Sequence, residues 1–187
     1  MAANDHYPRT EFDSKPRRPR RSFDRGRLLP LLSLTFLAVL LDRISKFLVD
    51  RNLAPGSAIT VIPGVFRITH VLNTGAAFSM FAESTSPEVV RNGLIVFSIF
   101  AAIVVAVMLW RASEEINPTS VALALILGGA LGNLYDRIRY HFVIDFLEVK
   151  IVHYHWPDFN FADSCIVIGA CLLLLEIFRP QPNPSQA

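Results

Sequence analysis

GGALGNLYDRIRYHFVIDFLEVKIVHYHWPDFNFAD, residues 128–163, joins two strongly apolar runs through a short polar connection. Three aspartates fall within it, Asp136, Asp145 and Asp163, beside Asn133, Arg137 and Asn160. Two of the three lie in or at the edge of segments hydrophobic enough to span a bilayer. An ionisable group there is costly, so it marks a functional site or a paired structural one.

The rest of the chain supplies the frame. Of 187 residues, 52% are hydrophobic and only 18% charged, which favours a membrane protein in one domain. The formal net charge of +2 hides an asymmetry, because eight of the 18 basic residues precede Leu28. The basic character belongs to an N-terminal arm and gives no support to nucleic-acid binding. Residues 1–27 are polar, rich in Arg and Pro, and lack apolar periodicity, so a disordered arm is expected. A cleaved signal peptide is rejected: the following run contains Asp42, Arg43 and Lys46, and no small-residue site ends it.

Four segments are apolar enough to cross a bilayer as helices, roughly 28–49, 91–110, 119–138 and 161–178. The fold class expected is therefore a membrane α-helical protein with four transmembrane helices. The basic arm keeps both termini cytoplasmic, with 50–90 and 139–160 facing outward and 180–187 forming a cytoplasmic tail. In the first outward segment, Pro63–Gly64 reads as a turn, and Phe66 and Ile68 alternate with Arg67 and Thr69. That pattern predicts a small extracytoplasmic sheet between the first and second helices. The second outward segment contains HFVIDFLEV, also readable as extended.

Depth brings the polar groups together. At ~1.5 Å per residue, Asp42 and Asn133 each lie about 21 Å along their spans, with Asp136 beyond. The fourth span enters from the other side at Asp163, so one polar layer forms near the outer face. Asn133, Asp136 and Arg137 share a helix face at i, i+3, i+4. Asp42 and Lys46 stand at i, i+4, and Asn160 can cap the fourth helix with Asp163 in its first turn. Gly128 and Gly132 form a small-xxx-small pair suited to close packing. The pairs Asp42–Lys46 and Asp136–Arg137 are equally readable as charge neutralisation or as chemistry. Asp145 and Asp163 lack basic partners at helical spacing and are the better chemical candidates.

Other chemistries are weaker. His153-x-His155 with Asp158 could hold a metal, but interfacial histidines among Tyr154 and Trp156 are the plainer reading, and no metal is assigned. There is no G-x-S-x-G elbow, and Ser79 and Ser164 have no evident base. Cys165 and Cys171, six apart, fall about 120° apart on a helix and read as packing residues. A transporter or channel relay would need polar groups through the full bilayer depth.

Five short segments in order, LDRISK (41–46), NTGAAFS (73–79), GGALGNLYDR (128–137), VIDF (143–146) and FNFADS (159–164), resemble the signature segments of the bacterial lipoprotein signal peptidases, signal peptidase II. The resemblance covers about 150 residues. It implies an inner-membrane aspartyl endopeptidase occupying 28–179, its site near the outer face. The implied substrate is a diacylglyceryl-modified prolipoprotein cut just before its lipidated cysteine. Position by position, Asp145 and Asp163 correspond to the catalytic pair. Asn73, Asn133, Arg137 and Asn160 correspond to residues lining the site, with Asp42, Lys46 and Asp136 supporting. No cofactor is implied; partners are prolipoprotein substrates and membrane lipids, with no nucleic acid, and a monomer is expected. The long arm and the His/Tyr-rich insertion before Trp156 depart from the family pattern.

Overall fold

The computed structural model describes residues 27–75, 86–152 and 154–179. The greater part of the arm, residues 76–85, His153 and the tail 180–187 lie outside the described residues, and with them most of NTGAAFS and the expectations for the arm and tail. Four helices form the body: α1 (Leu28–Asn52), α2 (Pro87–Ala112), α3 (Pro118–Arg139) and α4 (Phe161–Ile177). Four strands complete it: β1 (Ala58–Ile62), β2 (Phe66–Asn73), β3 (Val143–Ile151) and β4 (Tyr154–His155).

Helix α3 is central and packs against the other three. Its buried surface is rich in small residues, among them Ala122, Ala124, Gly128 and Gly132, beside Leu123 and Leu127. A Cβ on Gly128 would stand 2.6 Å from that of Ala38, so the absent side chain lets α1 and α3 approach backbone to backbone. The outward faces carry large apolar side chains instead. Phe36, Phe97, Phe100 and Leu175 are each about two-thirds exposed, at 66%, 68%, 65% and 69%. Such a surface is stable against lipid and not against water.

Helices α1, α2 and α3 are long and apolar enough to cross a membrane. Helix α4 has 17 residues, about 26 Å of rise, slightly less than a typical ~30 Å hydrocarbon core.

The sheet differs from the sequence expectation. It runs β1-β2-β3-β4, antiparallel throughout. Half of it therefore comes from the segment between α3 and α4, not only from the one between α1 and α2. The reason is long-range pairing: β2 meets β3 with Val71 opposite Asp145 and Asn73 opposite Val143. Period-two alternation shows that a segment is extended but not which strand it joins. Phe146 and Leu147 then donate to Phe159 O at 3.0 and 2.8 Å, which brings the start of α4 beside β3. Val49, Ile144 and Phe146 form the apolar cluster that seats the sheet on the helix ends.

Candidate active site

Helix α4 begins with four backbone N–H groups lacking helical partners, and the site is built around them. Asn160 caps the helix: its Oδ1 accepts from Asp163 N at 2.9 Å, while Asp163 Oδ2 accepts from Asn160 N at 3.2 Å. Ala162 N donates to Asp42 Oδ1 at 3.0 Å, so a carboxylate from α1 also meets the positive end of α4. Gly132 makes room for it, since a Cβ there would stand 2.7 Å from Asp42 Oδ2.

The cap is also a bridge. Asn160 Nδ2 donates to Asp145 Oδ1 at 2.7 Å and to Asn133 Oδ1 at 3.2 Å. Asn133 Nδ2 donates in turn to Asp163 Oδ1 at 2.7 Å. Asn73, diagonal to Asp145 on the same face of the β2–β3 ladder, donates to Asp145 Oδ2 at 2.9 Å. Each carboxyl is thus oriented by two donors from different elements. Asp145 is 3% exposed and Asp163 half-buried.

The environment of Asp145 raises its proton affinity. Burial, reinforced by the nearby Asp163 charge, raises the Asp145 carboxyl to about 6; the Asn73 and Asn160 hydrogen bonds and the Lys46 charge oppose the shift. A carboxyl of raised proton affinity beside one that accepts a backbone N–H at a helix start is an arrangement in which two acids can divide acid and base roles.

Behind the pair lies a buried ionic layer. Lys46 Nζ reaches Asp42 Oδ2 and Asn133 Oδ1, both at 2.9 Å. It also lies 2.7 Å from Asp136 Oδ2, as an ion pair without an aligned hydrogen bond. Arg43 binds the other oxygen of Asp136 and stacks over Tyr135, 4.6 Å from the ring centroid. Helical spacing correctly pairs Asp42 with Lys46. The Asp136–Arg137 pairing does not occur: adjacent residues diverge by about 100°, and Asp136 turns to α1 while Arg137 turns elsewhere. Arg43, present in the sequence motif, carried no local signal of its role, because its partner lies across a helix interface.

Arg137 lines a cleft of about 540 Å³ between α2, α3 and α4, together with Asn133 and Asp163. Its Nη1 donates to Asn133 O at 3.4 Å, and it lies within electrostatic reach of Asp163, Asp145 and Asp136. The rest of the lining is chiefly apolar, including Leu94, Phe97, Val105 and Ile166. The cleft therefore presents a carboxylate and a guanidinium at the polar end of an apolar slot.

Of the residues considered for a metal site, His155 and Asp158 have separate partners. His155 Nδ1 stands 3.0 Å from Glu148 Oε1, and Asp158 Oδ1 accepts from Thr69 Oγ1 at 2.6 Å. His153 is outside the described residues.

Sequence and fold comparisons both find similar proteins. A family profile described as signal peptidase (SPase) II matches residues 34–179. A protein named lipoprotein signal peptidase from Solibacter usitatus is 45% identical over 141 residues, 75% of this chain and 85% of the relative. One of the same name from Pseudomonas aeruginosa is 41% identical over 165 residues, 88% of this chain and 96% of the relative. A solved bacterial membrane enzyme superposes with a TM-score of 0.71 at 27% identity, covering 81% of this chain and 94% of that one.

Proposed function

The chain belongs to the signal peptidase II family, and from that premise we propose that Asp145 and Asp163 are the catalytic pair with which it removes signal peptides from prolipoproteins. One observation carries the assignment: Asn160 touches both carboxyls, and Asp163 opens onto the apolar cleft.

Hydrolysis by two carboxyls requires that they share one proton, one activating water while the other supports the developing oxyanion. The raised proton affinity of Asp145 suits it to donate to the scissile carbonyl oxygen. Asp163, held by the α4 N-terminus, suits the ionised role and takes the proton from water. As the amine leaves, Asp163 returns that proton to it, and Asp145 recovers its own proton from the hydroxyl as the carbonyl re-forms. Asn73, Asn133 and Asn160 hold the two carboxyls in position without adding charge. Arg137 offers free guanidinium donors toward the cleft, suited to a backbone carbonyl of the substrate. Asp42, Lys46, Arg43 and Asp136 fix α1 against α3 and supply the electrostatic floor.

The apolar cleft suits a substrate anchored by diacylglycerol, with acyl chains remaining in lipid while the bond before the lipidated cysteine reaches the dyad. In this reading α4 makes a fourth crossing, its shortfall in length met by Phe178 and Arg179 at its end. Both termini are cytoplasmic, and the sheet and site lie at the outer face of the bacterial inner membrane. The enzyme acts as a monomer, residues 28–179 forming the peptidase unit.

The direct test is incubation of the purified protein with a diacylglyceryl-modified prolipoprotein and mass determination of the products. Cleavage immediately before the modified cysteine is expected, unchanged by chelator. Cleavage elsewhere, equal cleavage of the unmodified precursor, or chelator-sensitive cleavage contradicts the reading.

A further inference from the structure

The end of the sheet far from the dyad has an unexplained composition. Val65 closes the β1–β2 turn; beside it Val152 begins the β3–β4 turn, flanked by Ile151 and Tyr154, with Trp156 just after β4; Lys150 N donates to Val65 O at 2.8 Å, joining the two. All five side chains are exposed, Val152 at 78%. Val152 has φ 57, the left-handed region where a β-branched residue is disfavoured and Asn or Gly is the usual choice. A turn that keeps an exposed valine at a strained position points to a use for the side chain itself.

Behind this tip is a small pocket of about 200 Å³ lined by Arg67, Lys150, His155 and Glu148. Glu148 is the only acid in the lining, and it already binds Arg67 at 2.5 Å and His155 at 3.0 Å. Lys150 has no carboxylate partner among the described residues. The pocket therefore has cationic capacity in excess of its acid, immediately inside an apolar and aromatic rim.

We propose that the two-turn tip inserts into the bilayer interface and that the Arg67–Lys150–His155 pocket holds the phosphate of an anionic phospholipid. An apolar tip with a cationic collar matches the order of chemistry met on entering a leaflet: headgroup phosphate outside, acyl carbon within. Tyr154 and Trp156, edge-to-face at 6.2 Å, supply the amphipathic rings that settle at that depth. A protein partner would match the apolar rim but leaves the excess positive charge unexplained. The effect is to brace the sheet, and with it Asn73 and Asp145, against the membrane surface.

Trp156 is a reporter in place, since Trp110 is the only other tryptophan. The Trp110→Phe protein would be reconstituted in bilayers containing either a brominated anionic or a brominated zwitterionic phospholipid at equal mole fraction. Quenching of Trp156 by both is expected, with the anionic lipid enriched around it. Lys150→Gln should lower that enrichment by about fivefold while leaving zwitterionic quenching in place. Val152→Asn, which relieves the turn, should reduce quenching by both lipids without loss of thermal stability. A Trp156 quenched by aqueous iodide and not by brominated lipid overturns the proposal in favour of a water-facing or protein-docking tip. Equal quenching by the two lipids, unchanged in Lys150→Gln, overturns the phosphate site. Loss of the anionic preference on adding inorganic phosphate alone would assign the pocket to a free anion instead.

Discussion

Asn160 donates its side-chain amide to Asp145 while the same residue's backbone N–H donates to Asp163, so one helix cap orients both carboxyls. The chain uses a single residue to start α4 and to set the spacing of its acids.

Asn160→Ala removes both functions. Loss of the cap and of a donor to a buried carboxyl should cost roughly 2–4 kcal/mol. Released carboxyls should lower turnover by about 10²-fold even in the folded fraction. Thermal unfolding in detergent and single-turnover cleavage check the two effects separately. Wild-type turnover in a destabilised variant would reduce Asn160 to a cap.

Lys46→Met tests the ionic floor. Lys46 is fully buried and serves Asp42, Asp136 and Asn133 together. Its removal leaves Asp42 with only a backbone donor, and a loss of about 3–5 kcal/mol is expected. A thermal midpoint unchanged from wild type would show that the layer is dispensable.

The Asp145 carboxyl gives a pH signature. Its folded-state value, about 6, lies above the ordinary 3.8, so the folded protein holds a proton that the unfolded chain has lost. Stability is therefore lost as pH rises from about 4 to about 6, and stays lost above. Asp145→Asn has no proton to lose, so its stability relative to wild type should rise by on the order of 2–3 kcal/mol between about pH 4 and about pH 8. The difference between the two melting-temperature profiles isolates this group from other titrations. A stability difference between Asp145→Asn and wild type that does not change from about pH 4 to about pH 8 removes the basis for the acid role.

Orientation is checked by thiol labelling. In a background lacking Cys165 and Cys171, Ser57→Cys and Glu114→Cys place exposed thiols at opposite ends of the helices. An impermeant reagent on intact cells should label the first and not the second. The opposite pattern would invert the membrane placement.

What could be read beforehand was whatever rests on spacing within one segment. The Asp42–Lys46 pair, the Asn160 cap and the Gly128–Gly132 face all follow from helical periodicity, and each stands in the structure as read. Relations across elements were not legible in the same way. Whether Asp136 turns to Arg137 or to Arg43 depends on the rotation of α3 against α1, which its neighbours in sequence do not encode. The union of β2 with β3 is likewise a pairing between segments some seventy residues apart. Asn133 could be placed on the right face, but not as the link between Lys46 and Asp163.

The central claim is that Asp145 and Asp163 perform the cleavage. Asp145→Asn and Asp163→Asn keep the shape of each side chain and remove the titrating proton. The measurement is cleavage of a diacylglyceryl-modified prolipoprotein by each purified variant, with substrate binding and thermal stability followed in parallel. Both variants should bind substrate, remain folded and show no cleavage above background. Asp136→Asn, still within reach of Arg43 and Lys46, should retain measurable turnover. Clear cleavage by Asp145→Asn or Asp163→Asn, or a stably folded but inactive Asp136→Asn beside an active Asp145→Asn, would contradict the account.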